Sequence, residues 1–180
     1  MKLLGLVRLN MRKIIALWIL FSACAYGENQ RVKVPKLADV VKEDHWALVE
    51  RKSEDTIQYI RFRKSFTSDM DFTQLPKGIH VFWDFKADRN GMPADNSVLV
   101  RMAEFENNII QNLEKDLSGV LVSVLTMDGY RQWTFCVKDS EVFFDRLNSM
   151  SQTGEPYPLE FENADGSGWN YYFEIADQFK

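Results

Sequence analysis

The sequence predicts an α+β fold, with helices laid over an antiparallel sheet, and three stretches predict it. Residues 119–138 read GVLVSVLTMDGYRQWTFCVK, two β-rich runs joined by Asp128-Gly129. A two-residue type I′ turn needs positive φ at both central positions, so Asp-Gly between such runs marks a hairpin. Residues 78–86 (GIHVFWDFK) alternate, with Ile79, Val81, Trp83 and Phe85 on one face and His80, Phe82, Asp84 and Lys86 on the other. Residues 98–117 carry Met102, Phe105, Ile109, Leu113 and Leu117 at helical spacing.

In chain order, the N-terminus reads as a targeting segment. Arg12 and Lys13 precede an apolar run, 14–21, and the small residues Ser22, Ala23 and Ala25. A basic n-region, a short h-region and an A-x-A site predict a signal peptide over 1–25, cleaved before Tyr26. The alternative is a lipobox at Phe21-Ser22-Ala23-Cys24, in which a lipidated Cys24 anchors the chain to a membrane. The apolar run itself is far shorter than the ~20 residues a bilayer span needs. Translation from either Met1 or Met11 leaves the segment complete. The expected location is exported, periplasmic or secreted.

Composition bounds the partners. Hydrophobic and charged fractions of 46% and 27% are those of an ordinary globular chain. Of 22 basic residues, Lys2, Arg8, Arg12 and Lys13 leave with residues 1–25, which hold no acid. The mature chain keeps 18 basic residues against 26 acidic ones, a net charge near −8. No nucleic-acid partner is expected of an acidic domain without a basic stripe. Cleavage also leaves Cys136 as the single thiol, read as a small buried hydrophobe, with an intermolecular bridge as the minor alternative.

Residues 26–43, containing RVKVPK, read as a flexible lead-in to a single domain over 44–180. Residues 46–51 and 56–63 form an extra N-terminal β-hairpin through 52–55. A loop over 65–77 ends near Pro76, and 87–96 (ADRNGMPADN) is rich in turn residues. Ser97 is the expected N-cap of the 98–117 helix, with Glu104, Asn107, Asn108, Gln111, Glu114 and Lys115 on its solvated side. The central hairpin is expected to pair Met127 with Tyr130, Thr126 with Arg131, Val124 with Trp133, Val122 with Phe135 and Val120 with Val137. That register puts Val120, Val122, Val124, Trp133, Phe135 and Val137 on the core face, and Leu121, Ser123, Leu125, Met127, Tyr130, Gln132, Thr134 and Cys136 on the other. Asp139 caps a helix over 140–150, whose Phe143, Phe144, Leu147 and Met150 point inward. A last strand spans 157–162, and a short C-terminal helix over 169–179 presents Trp169, Tyr172, Phe173 and Ala176. From Gly78 onward the order β-α-β-β-α-β predicts a ferredoxin-like two-layer sandwich, whose sheet the N-terminal hairpin extends or covers.

A resemblance follows from several of these residues. They are Trp46 in an early strand, Glu106 within Glu104-Phe105-Glu106, and the run Thr126-Met127-Asp128-Gly129-Tyr130-Arg131 followed by Trp133-Thr134-Phe135. A terminal Asp165…Trp169-x-x-Tyr172 completes the set. In this order and spacing they make the chain resemble the DUF695 family, a domain of unknown function, over about 46–179. The resemblance implies no established activity and carries over no catalytic residue. A related fold occurs in the ribonuclease E inhibitor B family, which is cytoplasmic and protein-binding, and by analogy it implies a binding module. The export signal argues against a ribonuclease target, which lies in another compartment.

Candidate chemistry is sparse. His45 and His80, the two histidines, belong to no His-x-x-x-His pair or acid-rich ligand set. No Gly-x-Ser-x-Gly elbow or glycine-rich phosphate loop occurs, and Glu104 and Glu106 sit two apart on a helix, pointing in different directions. No catalytic residue and no organic cofactor is therefore assigned. Asn163, Asp165, Ser167, Gly168 and Glu174 fall at EF-hand loop positions 1, 3, 5, 6 and 12, which makes Asn163, Asp165, Ser167 and Glu174 a candidate calcium set. The competing reading is that Asp165 or Ser167 caps the closing helix. On the outer sheet face, Leu121, Leu125, Met127, Tyr130 and Phe82 make a candidate apolar patch for a protein partner or self-association. A small-ligand site in the 87–96 or 163–174 loop is the alternative function, and an enzyme of unrecognised type the third.

Overall fold

A computed structural model describes residues 34, 36–53, 56–151, 154–164 and 166–179. The expected signal peptide, most of the lead-in and Asp165 lie outside the described residues. Six strands form one antiparallel sheet: β1 (Trp46–Lys52), β2 (Ile57–Arg63), β3 (Lys77–Asp84), β4 (Gly119–Met127), β5 (Tyr130–Val137) and β6 (Glu160–Asn163). Their order is β1-β2-β4-β5-β3-β6. Among the described residues the helices are α1 (Leu37–Glu43), α2 (Asn96–Glu114), α3 (Ser140–Asn148) and α4 (Gly168–Ala176), which runs into a 3₁₀ turn at Asp177–Phe179. The fold is α+β, and the N-terminal hairpin extends the sheet by pairing β2 with β4.

One face of the sheet, face A, lies under α2 and α3. Ile79, Val81, Trp83, Leu121, Val124, Trp133, Phe135 and Val137 pack there against Met102, Phe105, Ile109 and Leu113 of α2 and Phe143 and Leu147 of α3. The α2 stripe is the predicted one except for Leu117, which has left the helix at φ 54°. Asp95, rather than Ser97, caps α2, its carboxylate accepting from the Ser97 amide at 2.8 Å. Asp139 caps α3 in the same way through the Glu141 amide at 2.8 Å. A short side-chain oxygen satisfies an amide that the first helical turn leaves unpaired.

The central hairpin departs from its expected register halfway along. Asp128 and Gly129 take φ 38° and 94°, both positive as the turn requires. Near the turn Met127 pairs with Tyr130, Thr126 with Arg131 and Val124 with Trp133. A bulge between Leu121 and Ser123 then adds Val122 as an extra residue, so Leu121 pairs with Phe135 and Gly119 with Val137. This corrects the expected faces. Leu121 is fully buried in the face-A core, and Val120 and Val122 turn to the opposite face. The run is apolar on both sides, so a one-residue shift still buries hydrophobic side chains and alternation alone cannot choose between registers.

That opposite face, face B, carries a second core. Ile60, Phe62, Val120, Val122 and Cys136 lie under Leu37, Val40 and Val41 of α1, Trp169, Tyr172 and Ala176 of α4, and Phe66, Met70 and Leu75 of the connection between β2 and β3. Helices therefore flank both faces rather than one, and part of the expected lead-in and loop is core. The seat of α4 is backbone on backbone. A Cβ built on Gly78 would lie 2.4 Å from the Gly168 amide nitrogen, so only glycine fits at this crossing. Trp169 Nε1 donates to the Leu75 carbonyl at 2.9 Å, and the Tyr172 hydroxyl to the Arg63 carbonyl at 2.7 Å. Burial pushes the Cys136 thiol well above its ordinary pKa.

Arg63 joins these layers. Fully buried, it donates to the carbonyls of Val41 at 2.8 Å and Leu121 at 3.3 Å and pairs with Glu114 at 2.8 Å. It also lies 4.9 Å from the Trp46 ring centroid. Glu114, expected on the solvated side of the long helix, is thus an internal partner. Burial raises its carboxyl pKa, and the Arg63 charge opposes the rise.

Candidate functional site

Alternation along β3 and β5 decides what lies on face B beyond α4. Ile79, Val81 and Trp83 point into the face-A core, which leaves His80, Phe82 and Asp84 on face B, opposite Thr134, Gln132 and Tyr130 of β5. The Gly78–Gly168 contact holds the start of α4 at one end of these strands, and the end nearest the Asp128-Gly129 turn is left uncovered. A cleft of about 470 Å³ opens alongside the first turns of α4, lined by His80, Phe82, Gln132, Glu162, Asn163, Ala164, Asn170, Tyr171 and Glu174. A second hollow of about 440 Å³ shares Phe82 and Glu162 with it and adds Asp84, Tyr130, Glu160 and Phe161. The two form one groove running from α4 to the hairpin tip.

The floor of the groove is a set of buried polar groups. His80 Nδ1 lies 3.1 Å from Thr134 Oγ1 and 3.0 Å from Gln132 Nε2, and the Gln132 amide also donates to Thr134 Oγ1 at 3.3 Å. The Gln132 amide and the Thr134 hydroxyl both meet Nδ1, which holds the imidazole in one orientation. The rings of His80 and Tyr171 meet edge to face at 4.7 Å, and those of Phe82 and Tyr130 lie 6.2 Å apart. Burial raises the pKa of the Tyr171 hydroxyl, against a hydrogen bond from Gln132. Burial likewise raises that of Tyr130, helped by the Asp128 charge. A network of this kind fixes side-chain positions, because every unpaired member would be costly in a low-dielectric setting.

The candidate residues of the sequence separate clearly. Phe82 and Tyr130 line the groove, and Leu125 and Met127 lie half-buried on the same face. Leu121 is in the opposite core and cannot belong to a face-B surface. Asn163 and Glu174 line the cleft, Ser167 precedes α4 without capping it through its side chain, and Asp165 lies outside the described residues. Among the described residues no group of three or more His, Cys, Asp or Glu side chains is placed to hold a metal ion. Sequence reasoning missed Gln132, Tyr171, Glu160 and Glu162. The available signal was the off-core alternation that had already put His80, Phe82, Gln132 and Thr134 on one side.

No helix among the described residues is long and apolar enough to cross a membrane. The molecule is an antiparallel-sheet domain with helices on both faces and a polar, aromatic groove where one of those layers ends. Residues 44–175 match the family of unknown function DUF695, and the chain belongs to that family. No curated protein and no solved structure matches it.

Proposed function

We propose that this domain is an exported, non-enzymatic binding module that takes a basic segment of a protein partner in the face-B groove. The wall of the groove carries this reading: Asp84, Glu160, Glu162 and Glu174 stand with Phe82, Tyr130 and Tyr171, and among the described residues no Lys or Arg lines either hollow. An ammonium or guanidinium gains from the carboxylates and from an aromatic face, the latter by about 0.5–1 kcal/mol at an exposed site. The net negative charge of the mature chain steers such a partner toward the surface. The fold is read as ferredoxin-like on the support of the strand order β4-β5-β3-β6 and of α2 and α3 sharing one face.

The test is a calorimetric titration of the full chain with tetralysine and, in parallel, tetraglutamate at low salt. Tetralysine binds saturably and tetraglutamate does not. Glu162→Gln and Glu174→Gln each weaken binding about two- to fivefold, the range for an exposed charge pair. Glu141→Gln, the same charge change on the exposed surface of α3, leaves it unaltered. Equal losses in all three variants, or no saturable binding of tetralysine, would refute the reading.

A further inference from the structure

Face A carries a cavity of opposite electrostatic character. Tyr59 and Arg61 of β2 pair with Thr126 and Val124 of β4, which in turn pair with Arg131 and Trp133 of β5. Two arginines from strands on either side of β4 therefore share one face, and α2 supplies a single carboxylate to them. Glu106 accepts from Arg61 Nη2 through one oxygen and from Trp133 Nε1, at 2.8 Å, through the other. Arg131 spends its Nε on Thr126 Oγ1 at 2.8 Å. Burial lowers its pKa, Arg61 adds to the effect and Glu106 opposes it. Arg61, Arg131 and Glu106, with Tyr59 and Thr126, line a hollow of about 320 Å³ together with the apolar side chains of Leu48, Met92 and Val124. Leu48 is 72% exposed on the edge strand, and Met92 is held by a loop in which the Asp88 carboxylate accepts from the amides of Asn90 and Met92 at 2.8 and 3.0 Å.

Arg63, two residues along β2, shows what a fully used arginine looks like here, with two carboxylates and two carbonyls around it. Arg61 differs. Its guanidinium lies 4.7 Å from the Trp46 ring centroid and pairs with Glu106, and its buried Nε has no hydrogen-bond partner among the described residues. A buried donor left unpaired costs about 1–3 kcal/mol and calls for a reason. Two guanidiniums and one carboxylate therefore line this cavity, among the described residues, beside the side chains of Tyr59 and Thr126 and the apolar ones of Leu48, Met92 and Val124.

We propose that this cavity binds a small organic monocarboxylate, its head group on Arg61 and Arg131 and its apolar body against Leu48, Met92 and Val124. The guanidinium fork matches a carboxylate in plane and spacing. Glu106 sets the charge balance at one anion and holds Arg61 in place. The volume lies at the small end of ligand pockets, which suits a short acid rather than a polymer.

The experiment is an amide and indole NMR titration of the isotope-labelled full chain with hexanoate, with hexanol as the neutral isostere and inorganic phosphate as the anion without an apolar body. Hexanoate shifts the Trp133 indole resonance saturably, and hexanol and phosphate do not. Arg131→Gln weakens hexanoate about tenfold, the loss of one charge-assisted hydrogen bond. Arg131→Lys, which keeps the charge and the fold but loses the fork, weakens it less. Lys138→Gln, outside the cavity, binds as the parent chain does. If hexanol matches hexanoate, if phosphate alone binds, or if a folded Arg131→Gln chain keeps full affinity, the proposal is wrong. The wild-type titration decides the matter even where Arg131→Gln fails to fold.

Discussion

The two faces of one sheet have been finished in different ways. On face A, α2 and α3 lay a continuous apolar stripe over the strands, and the polar groups that remain are gathered under α2: Glu114 on Arg63, and Glu106 on Arg61 and Trp133. On face B the cover is assembled from α1, α4 and the β2–β3 connection, and it ends partway along β3 and β5. Beside the groove β3 and β5 carry buried hydrogen-bonding side chains, His80, Gln132 and Thr134, where the fuller part of the cover lies over Val120, Val122 and Cys136. The boundary of the helical cover, more than any local motif, sets which residues lie at or beneath the groove.

Substitutions that strike one face or both sharpen this contrast. Arg63→Ala is expected to have the largest effect, about 3–5 kcal/mol of lost stability by chemical denaturation, because Glu114 is left charged and buried without its partner. Leu121→Ala should cost about 2–5 kcal/mol, the range for a buried leucine. Gly78→Ala acts on face B alone. The added methyl meets the Gly168 backbone and Ala164, which costs about 1–3 kcal/mol in overpacking and lifts α4. Labelling of Cys136 by a thiol reagent, slow in the parent chain, should then accelerate.

The smallest effect concerns Tyr172. Burial, with the Asp177 charge adding to it, pushes its hydroxyl from 10.0 up to about 12. The folded state therefore holds the phenol proton more tightly than the unfolded chain does. The stability this gives is intact below pH 10 and is lost as pH rises through about 12. Tyr172→Phe should cost about 1 kcal/mol at neutral pH through its bond to Arg63. It should also remove that component of the alkaline decline in a pH series of unfolding curves.

What the sequence revealed was whatever one element states by itself. The Asp128-Gly129 turn, the alternation of 78–86, the α2 stripe and the Asp139 cap each need only a few neighbouring residues, and each is present. The bulge at Val122 was hidden because β4 is hydrophobic on both faces. Leu37, Val40 and Val41 do have helical spacing, but seven residues beside a basic stretch make a weak helix until α1 finds its partner face. The groove was half legible: Phe82 and Tyr130 follow from alternation, whereas Glu162, Tyr171 and Glu174 depend on where α4 comes to rest. The face-A cavity left no trace in the sequence, since Arg61, Glu106 and Arg131 lie far apart in the chain and meet only through strand order.

The most direct test of the account is one NMR experiment in which a single labelled sample of the full chain receives tetralysine and then hexanoate. Tetralysine should move the side-chain amide of Gln132 and the backbone of Tyr171 and leave the Trp133 indole in place. Hexanoate should do the reverse. Two disjoint sets of shifts, one per face, are the predicted result; both probes perturbing the same face, or neither giving saturable shifts, would contradict it.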